Sequence, residues 1–449
     1  MKKFILIVFL SFILAQLASA VSVTIYNNDL ALVRDTKTIK LVKGIQTVEI
    51  DNVASKIDAT SVLPKFLSNT NKIKILEQNF DFDLVNPDKL LSKYIGENIE
   101  IERTGEDKRG KLTGKLLATY GGLVVQTENK LVINPQGEIS LSKLPEDLRL
   151  KPTLVWLLES EVEGNNQLEV SYQTSGISWN ADYVLVTNEK DTLSDITGWV
   201  TINNNCGATF KDAKLKLVAG DVNRVSQDKY AGKRLMALPM AMEADDSNSS
   251  FQEKSFFEYH IYELQRPSTL KDKEIKQIEF ISAKNIPIKK GFTYNPSSDP
   301  KKVKVSLDFK NSKENNLGIP LPKGRIRVSK YDADSIEFIG EDNIDHTAKD
   351  AKVSIDIGNA FDITGTKTQT NNKTEGKTSY QSFSIKIKNS KNIPVEVNIV
   401  ETLNAWSNWE IKENSSPFTK KDKSTVEFLI TIPANAEKEV TYTVKYWWK

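Results

Sequence analysis

The fold class is decided by a short stretch in which apolar and polar residues alternate, Val21-Ser22-Val23-Thr24-Ile25-Tyr26. Alternation with period two is typical of a β-strand that buries one face. The pattern recurs along the chain, for example at Thr47–Ile50 and Val426–Ile432, and residues that favour turns separate the repeats at short intervals. The sequence therefore predicts an all-β protein made of several immunoglobulin-like β-sandwiches.

A second unit interrupts the first sandwich between residues 86 and 147. It opens with a short helix at Asn86–Tyr94, with Pro87 at the first helical position. Residues 148–158 read as a helix or as an extended segment, and Pro152 favours the extended form. Five short strands with tight turns follow the helix, which predicts a small inserted SH3-like β-barrel: Ile99–Glu102, Gly114–Thr119, Leu123–Val125, Leu131–Ile133 and Ile139–Leu141.

Two predicted strands in the C-terminal half end in the same three residues. Val305–Ser312 and Phe383–Ser390 are both predicted strands that end in Lys-Asn-Ser, and Trp199–Asn204 is a looser third copy. The chain closes with Val426–Ile432, a turn, and Glu439–Trp448, which predicts a long final hairpin.

The predicted organisation has six parts. They are a signal peptide (1–20), a first sandwich part (21–85), the inserted barrel (86–147), the sandwich continuation (148–222), a Met-, acid- and Ser-rich flexible linker (223–255) and one or two C-terminal sandwiches (256–449). Residues 1–20 combine two lysines, an apolar run and Ala18-Ser19-Ala20, which is the pattern of a cleavable secretory signal. We therefore expect export to the periplasm or the extracellular medium, with Val21 as the mature N-terminus. No second apolar stretch predicts a transmembrane segment.

The charge balance narrows the possible partners. Lys and Arg number 61 and Asp and Glu number 59; removing the two lysines of residues 1–20 leaves 61 − 2 = 59 against 59. A formally neutral chain lacks the excess of positive charge that nucleic-acid binding requires. The single cysteine, Cys206, permits no intrachain disulfide. We expect it to be a small residue in a turn, with a reactive thiol as the alternative.

Several segments taken together resemble a known family. They include the following stretches: Tyr172–Tyr183, Gly198-Trp199, Leu217–Asp221, Phe257–His260, Leu321–Val328, Phe338–Asp342 and Ile344–Thr347. The chain is similar to a bacterial domain-of-unknown-function family, found in secreted proteins and in the C-terminal part of mucoidy-inhibitor-A-like proteins. The resemblance covers nearly the whole mature chain. Because that family has no established activity, it implies no catalytic residue.

Two near-matches to catalytic motifs fail. Gly105–Leu112 resembles a phosphate-binding loop but has Leu112 in place of Ser or Thr, and it lies between two strands. Gly176–Asn180 begins like a nucleophile elbow but lacks the second glycine. With two histidines and one cysteine, the chain also offers no zinc site with close ligand spacing.

The segment from Asp342 to His346 has three possible roles. Asp342, Asp345 and His346 lie close together in the sequence. They could form a solvated, hydrogen-bonded loop, a calcium site, or a histidine base oriented by a carboxylate. The spacing does not follow an EF-hand, because Ile336 stands where a ligand is expected after Asp332 and Asp334. We predict no metal or other cofactor, with calcium as the one alternative.

Tryptophans supply the other candidate surface. Trp406 and Trp409 flank a strand end, whereas Trp447 and Trp448 are adjacent, so a regular strand points them to opposite faces. They either pack between domains or form a platform for a ligand or partner. We therefore expect an exported, non-enzymatic cell-envelope protein that binds an envelope protein or a surface polysaccharide. The alternatives are a carbohydrate-binding or carbohydrate-active module and another kind of hydrolase.

Overall fold

A computed structural model describes residues 21–81, 87–103, 110–143, 145, 151–220, 222–223 and 250–448. The predicted signal peptide and most of the predicted linker lie outside these residues. The linker's last residues fall within a strand. The described residues contain the helix α1 (Pro87–Lys93), three short 3₁₀ turns and the following strands: β1 (Ser22–Tyr26), β2 (Leu30–Leu41), β3 (Gly44–Asp51), β4 (Leu63–Phe66), β5 (Ile73–Asp81), β6 (Asn98–Arg103), β7 (Gly110–Ala118), β8 (Val124–Gln126), β9 (Leu131–Ile133), β10 (Glu138–Ser140), β11 (Thr153–Ser160), β12 (Gly164–Thr174), β13 (Ile177–Thr187), β14 (Leu193–Asn204), β15 (Phe210–Ala219), β16 (Phe251–Phe256), β17 (Tyr259–Leu264), β18 (Ser268–Leu270), β19 (Glu274–Pro287), β20 (Lys289–Tyr294), β21 (Lys302–Lys310), β22 (Gly324–Asp332), β23 (Ser335–Ile344), β24 (Lys352–Glu375), β25 (Thr378–Asn389), β26 (Val395–Thr402), β27 (Asn408–Asn414), β28 (Thr419–Lys420), β29 (Thr425–Ile432) and β30 (Ala436–Trp447).

The prediction of an all-β, multi-sheet fold is confirmed. An eight-stranded sheet has the order β16-β17-β15-β1-β2-β12-β4, with β18 beside β15, and a three-stranded sheet has the order β3-β11-β5. A five-stranded sheet runs β19-β14-β13-β22-β23. One large cluster of buried apolar side chains connects these sheets, from Val23 in β1 to Ile355 in β24. Within the described residues, no helix is both long and apolar enough to cross a membrane.

The inserted unit differs from the predicted barrel. Its strands form a five-stranded sheet in the order β10-β6-β7-β8-β9 around a small core of its own. In the described residues this sheet is open, because β9 and β10 each pair on one side only. Both end strands are three residues long, and among the described residues they do not pair with each other. The predicted short helix and five strands are present, and the segment after Pro152 is extended.

The C-terminal strands form a nine-stranded sheet that folds back on itself, with the order β27-β30-β25-β24-β21-β20-β26-β29-β28. Strands far apart in this order meet across one core. The ring centroids of Phe428 in β29 and Tyr442 in β30 lie 5.5 Å apart. Lys367 in β24 forms an ion pair with Glu401 in β26. The strands therefore make two layers with a separate apolar core.

The last two strands do not form the hairpin that the sequence predicts. β29 pairs with β26 and β28, whereas β30 pairs with β25 and β27. The connection between them therefore crosses from one layer to the other. Alternation of apolar residues identifies each strand, but it does not specify the layer to which the chain returns.

The repeated strand endings share a buried asparagine. Asn389 is fully buried; its amide nitrogen donates to the carbonyls of Ile393 and Pro433 at 2.9 Å, and its oxygen accepts from the amide of Lys391 at 3.0 Å. Asn311 makes the same kind of contacts, to the carbonyls of Ile319 and Ala348 and the amide of Gly318. The motif therefore fixes the loop after each strand, because the side chain replaces missing backbone partners.

The looser third copy follows the same rule. Asn204 ends β14, is 1% exposed, and donates to the carbonyls of Ala208 and Lys271, both at 2.9 Å. Its oxygen accepts from the amide of Cys206, which lies in the turn that the sequence predicts and is buried. Burial raises the pKa of the Cys206 thiol to about 11.

Candidate functional site

Asp342 lies near the end of β23, and both of its carboxylate oxygens hold backbone groups. One oxygen accepts from the amide of Asn343 and the other from the amide of Asp356 in β24, each at 2.8 Å. The second bond joins β23 to β24 between two sheets. The carboxylate therefore has a structural role in the described geometry.

His346 also contacts the backbone. Its side chain is exposed, and Nδ1 accepts from the amide of Lys323 at 3.2 Å. Leu321 and Thr347 exchange two backbone hydrogen bonds beside it, at 2.8 and 2.9 Å. Asp345 is exposed, and its carbonyl accepts from the Thr347 hydroxyl at 2.8 Å. These contacts fix the loop, with one ring nitrogen of His346 already engaged.

This geometry gives the calcium and catalytic interpretations no support. Among the described residues, no group of three or more His, Cys, Asp or Glu side chains is placed to hold a metal ion. A general base needs a ring nitrogen directed at a substrate and a partner that orients the ring. The Asp342 oxygens are instead bonded to main-chain amides. The site assignment of Asp342, Asp345 and His346 stays a prediction.

The four C-terminal tryptophans lie in or next to β27 and β30 at one edge of the nine-stranded sheet, with Trp409 on the core side and Trp447 on the outer face. Asn408 in β27 lies opposite Trp447 in β30, and Trp409 lies opposite Tyr446. Trp406 precedes β27 by two residues, and its side chain is 93% exposed. We call Trp406, Trp409, Trp447 and Trp448 the tryptophan cluster.

The four members differ in how strongly the protein holds them. Trp409 is half-buried against the C-terminal core, donates its indole proton to the carbonyl of Lys423 at 2.6 Å, and lies 4.3 Å below the Lys420 ammonium. Trp447 is half-buried and Trp448 is 45% exposed. Trp409 thus helps to hold the fold, whereas Trp406 and Trp448 offer aromatic area to solvent.

Sequence reasoning missed a second aromatic feature on the outer face of this sheet. Tyr380 in β25 lies opposite Lys445 in β30. The Lys445 ammonium is 5.9 Å from the centroid of the Tyr380 ring and 5.4 Å from that of the Trp447 ring. Only the register of β25 against β30 reveals this arrangement. Alternation within β25 could have placed Tyr380 on the outer face, but not beside Trp447.

A cavity of about 560 Å³ lies near the start of β1, where strands from the eight-stranded and three-stranded sheets meet. Its charged lining comes from Asp35, Lys151, Lys211 and Asp272. Two of these groups hold the protein together: the Lys151 ammonium donates to the Asn52 side chain at 2.7 Å, and Asp272 accepts from the amide of Gly207 at 2.9 Å. The volume suits a small molecule.

A buried ion pair crosses the C-terminal core. Glu401 is fully buried, and one of its oxygens contacts the Lys367 ammonium and accepts from the Tyr442 hydroxyl at 2.7 Å. Its other oxygen has no hydrogen-bond partner among the described residues. Burial, and then the Glu401 charge, raise the pKa of Tyr442. The Phe383 ring lies 4.3 Å from the Lys367 nitrogen, so the pair is enclosed by aromatic side chains.

The fold and these surfaces define an all-β, multi-sheet protein with aromatic side chains at one edge of its C-terminal sheet. The chain belongs to the DUF4139 family, a domain of unknown function whose family model matches residues 168–448. The match runs from β12 to the end of β30 and so includes the tryptophan cluster. No curated protein matches the chain. The predicted membership of a domain-of-unknown-function family is thereby confirmed.

Proposed function

We propose that this protein is an exported, non-enzymatic component of the bacterial cell envelope that binds a partner through the tryptophan cluster. The observation that carries the proposal is the exposure of Trp406, 93% on a loop beside an edge strand. Large aromatic side chains dominate binding energy at protein interfaces. A tryptophan this exposed contributes little to the core, and its aromatic surface is free to contact another molecule.

Export is part of the proposal and rests on the sequence. Residues 1–20 have the composition of a cleavable signal, and Val21 already belongs to the folded structure, since its carbonyl accepts from the amide of Lys214 at 2.9 Å. The resemblance to secreted proteins and to mucoidy-inhibitor-A-like proteins agrees with an envelope location. Periplasmic and extracellular locations are both compatible with this signal.

The contacts of Asp342 and His346 argue against one catalytic arrangement, a histidine base oriented by that carboxylate. One ring nitrogen accepts a backbone amide proton, and both oxygens of Asp342 are engaged with backbone amides. A hydrolase is the competing function. It would be favoured if the purified protein turned over a defined substrate and His346→Ala abolished that turnover.

Photo-crosslinking in intact cells tests the proposal. A photoreactive amino acid replaces Trp406 in one strain, and in the control strain it replaces Tyr120, which is 101% exposed in the turn between β7 and β8. We expect a discrete cross-linked product at position 406 and none of the same size at position 120. Equal labelling at both positions, or none at 406, would contradict the proposal.

A carbohydrate-binding module is the second candidate function. The placement of the half-buried Tyr380 and Trp447 on one sheet face favours it, since aromatic rings on such a face can stack on sugar rings. Glycan binding that survives alanine at each member of the tryptophan cluster would exclude stacking on that cluster.

A further inference from the structure

The outer face of strands β24, β25, β30 and β27 carries aligned rows of side chains. In one row Glu375, Thr378, Trp447 and Asn408 follow one another across the four strands, and in the next row Lys373, Tyr380, Lys445 and Glu410 do so. Directly opposed residues in an antiparallel sheet point to the same face. Both aromatic rings therefore belong to one continuous surface.

Hydroxyl groups continue this face along the sheet. Thr364, Thr366 and Thr368 occupy alternate positions of β24 and are exposed, whereas Ile363 and Gly365, on the opposite face, are buried. On the neighbouring strands the Ser382 and Thr443 hydroxyls lie 3.0 Å apart. The face thus has aromatic rings at one end and threonine and serine hydroxyl groups along the rest of its length.

The charges on the face are balanced locally. Lys373 pairs with Glu375 at 2.6 Å, and Lys445 lies opposite Glu410 in the strand register. Farther along, Lys386 lies opposite Glu439 and Lys388 opposite Glu437. A face with this pairing has no excess of either sign to attract an acidic polymer or a nucleic acid. It is complementary to an uncharged ligand rich in hydroxyl groups.

We propose that this face, defined by Tyr380, Lys445, Trp447 and the three threonines of β24, is a binding platform for a neutral polysaccharide chain. The inference deepens the proposed binding function and rests on it. Sugar rings stack on Tyr380 and Trp447, Lys445 donates hydrogen bonds to ring substituents between them, and the hydroxyl groups continue the contact along the chain. The half-buried rings lie fixed against the sheet, so little side-chain freedom is lost on binding.

Affinity electrophoresis of the full mature chain tests the platform. The gels contain one neutral polysaccharide each, namely dextran, laminarin, hydroxyethyl cellulose or xyloglucan, and alginate serves as the acidic probe. We expect retardation by at least one neutral polymer, with an affinity that falls about tenfold in Tyr380→Ala and in Trp447→Ala. Trp447→Phe keeps an aromatic ring and should retain most of the affinity, which separates stacking from folding defects. Thermal unfolding of each variant confirms that it is folded.

Two results would overturn the platform. One is the lack of retardation by any of the four neutral polymers. The other is retardation by a neutral polymer that is unchanged in the Tyr380→Ala/Trp447→Ala double variant. A discrete protein cross-link at position 406 in cells, combined with either of these results, would leave the proposed function standing while the polysaccharide inference fails.

Discussion

Buried asparagine side chains at strand ends fix the conformation of the loops that follow those strands. Asn204, Asn311 and Asn389 each satisfy at least three backbone groups in a loop that leaves the sheet. In two of the three cases the sequence shows this arrangement as a repeated Lys-Asn-Ser at the end of a strand. A buried amide that serves several backbone groups is costly to remove, since those groups lose their partners without regaining water.

We therefore expect Asn389→Ala to lower the free energy of unfolding of the C-terminal layers by about 2–3 kcal/mol. Urea denaturation followed by tryptophan fluorescence measures the loss. Asn343→Ala is the matched control, because Asn343 is exposed. A loss below about 0.5 kcal/mol for Asn389→Ala, the size usual for surface changes, would contradict the structural role.

The ion pair in the C-terminal core makes a second prediction at the scale of single residues. Glu401→Ala leaves the Lys367 ammonium partly buried without its carboxylate, so we expect a loss of about 3 kcal/mol. Replacing both partners, as Lys367→Met with Glu401→Leu, removes the two charges together and should cost far less. If the double variant were as unstable as Glu401→Ala, the loss would arise from packing and not from the unpaired charge.

Buried phenols and the buried thiol predict an alkaline limit to stability. Burial raises the pKa of Tyr294 to about 12 and that of Cys206 to about 11, and it raises the pKa of other enclosed tyrosines: Tyr172, Tyr183, Tyr262 and Tyr442. An unfolded tyrosine titrates near pH 10 and a cysteine near pH 8.5. Above these values the unfolded chain loses protons that the folded protein keeps, so stability falls as pH rises.

Stability should thus be at its full value below about pH 8 and decline towards pH 12 as the folded-state pKa values are approached. Circular dichroism at rising pH, with tyrosinate absorbance read in parallel, measures this. We expect these five buried phenols to ionise together with unfolding. Cys206 should react with a thiol reagent at pH 8 only after denaturation. Full tyrosinate absorbance in a folded protein, or rapid thiol reaction in the native state, would contradict the described burial.

At the scale of elements, the local sequence pattern predicts where strands begin and end, but it does not predict which strands pair. The five strands of the inserted unit begin or end within four residues of their predicted bounds, because each is enclosed by turn residues. The parallel pairing of β1 with β15 joins segments that lie far apart in the sequence, and no local signal indicates it. For the same reason the sequence predicts a hairpin of β29 and β30, whereas each of these strands pairs with others in the structure.

One hairpin carries a residue that its turn does not favour. Phe257 follows β16 with a φ of 57°, a left-handed conformation that a bulky side chain rarely adopts, and its ring is 76% exposed. Glycine adopts this conformation at no steric cost. We expect Phe257→Gly to raise the free energy of unfolding by about 1 kcal/mol, since relief of strain outweighs the loss of a mostly exposed ring. Urea denaturation measures this change, and a clear decrease in the free energy of unfolding would show that the ring stabilises the hairpin.

At the scale of the whole molecule, the sequence could predict the fold class but only part of the candidate surface. The sequence singles out the tryptophans near strand ends but leaves open whether they pack between domains, and only the structure shows that Trp406 is highly exposed. The platform residue Tyr380 was not visible, because its relation to Lys445 and Trp447 exists only after two strands pair. The predicted domain boundaries, export and envelope location stay predictions.

The measurement that tests the central claim most directly is in-cell cross-linking of the native protein, followed by identification of what is captured. We predict one defined envelope component whose capture is lost in the Trp406→Ala/Trp448→Ala variant and kept in Tyr120→Ala. Capture that is equal in all three proteins would contradict a role for the tryptophan cluster. Loss of capture in His346→Ala alone, together with turnover of a substrate, would replace the binding protein with an enzyme.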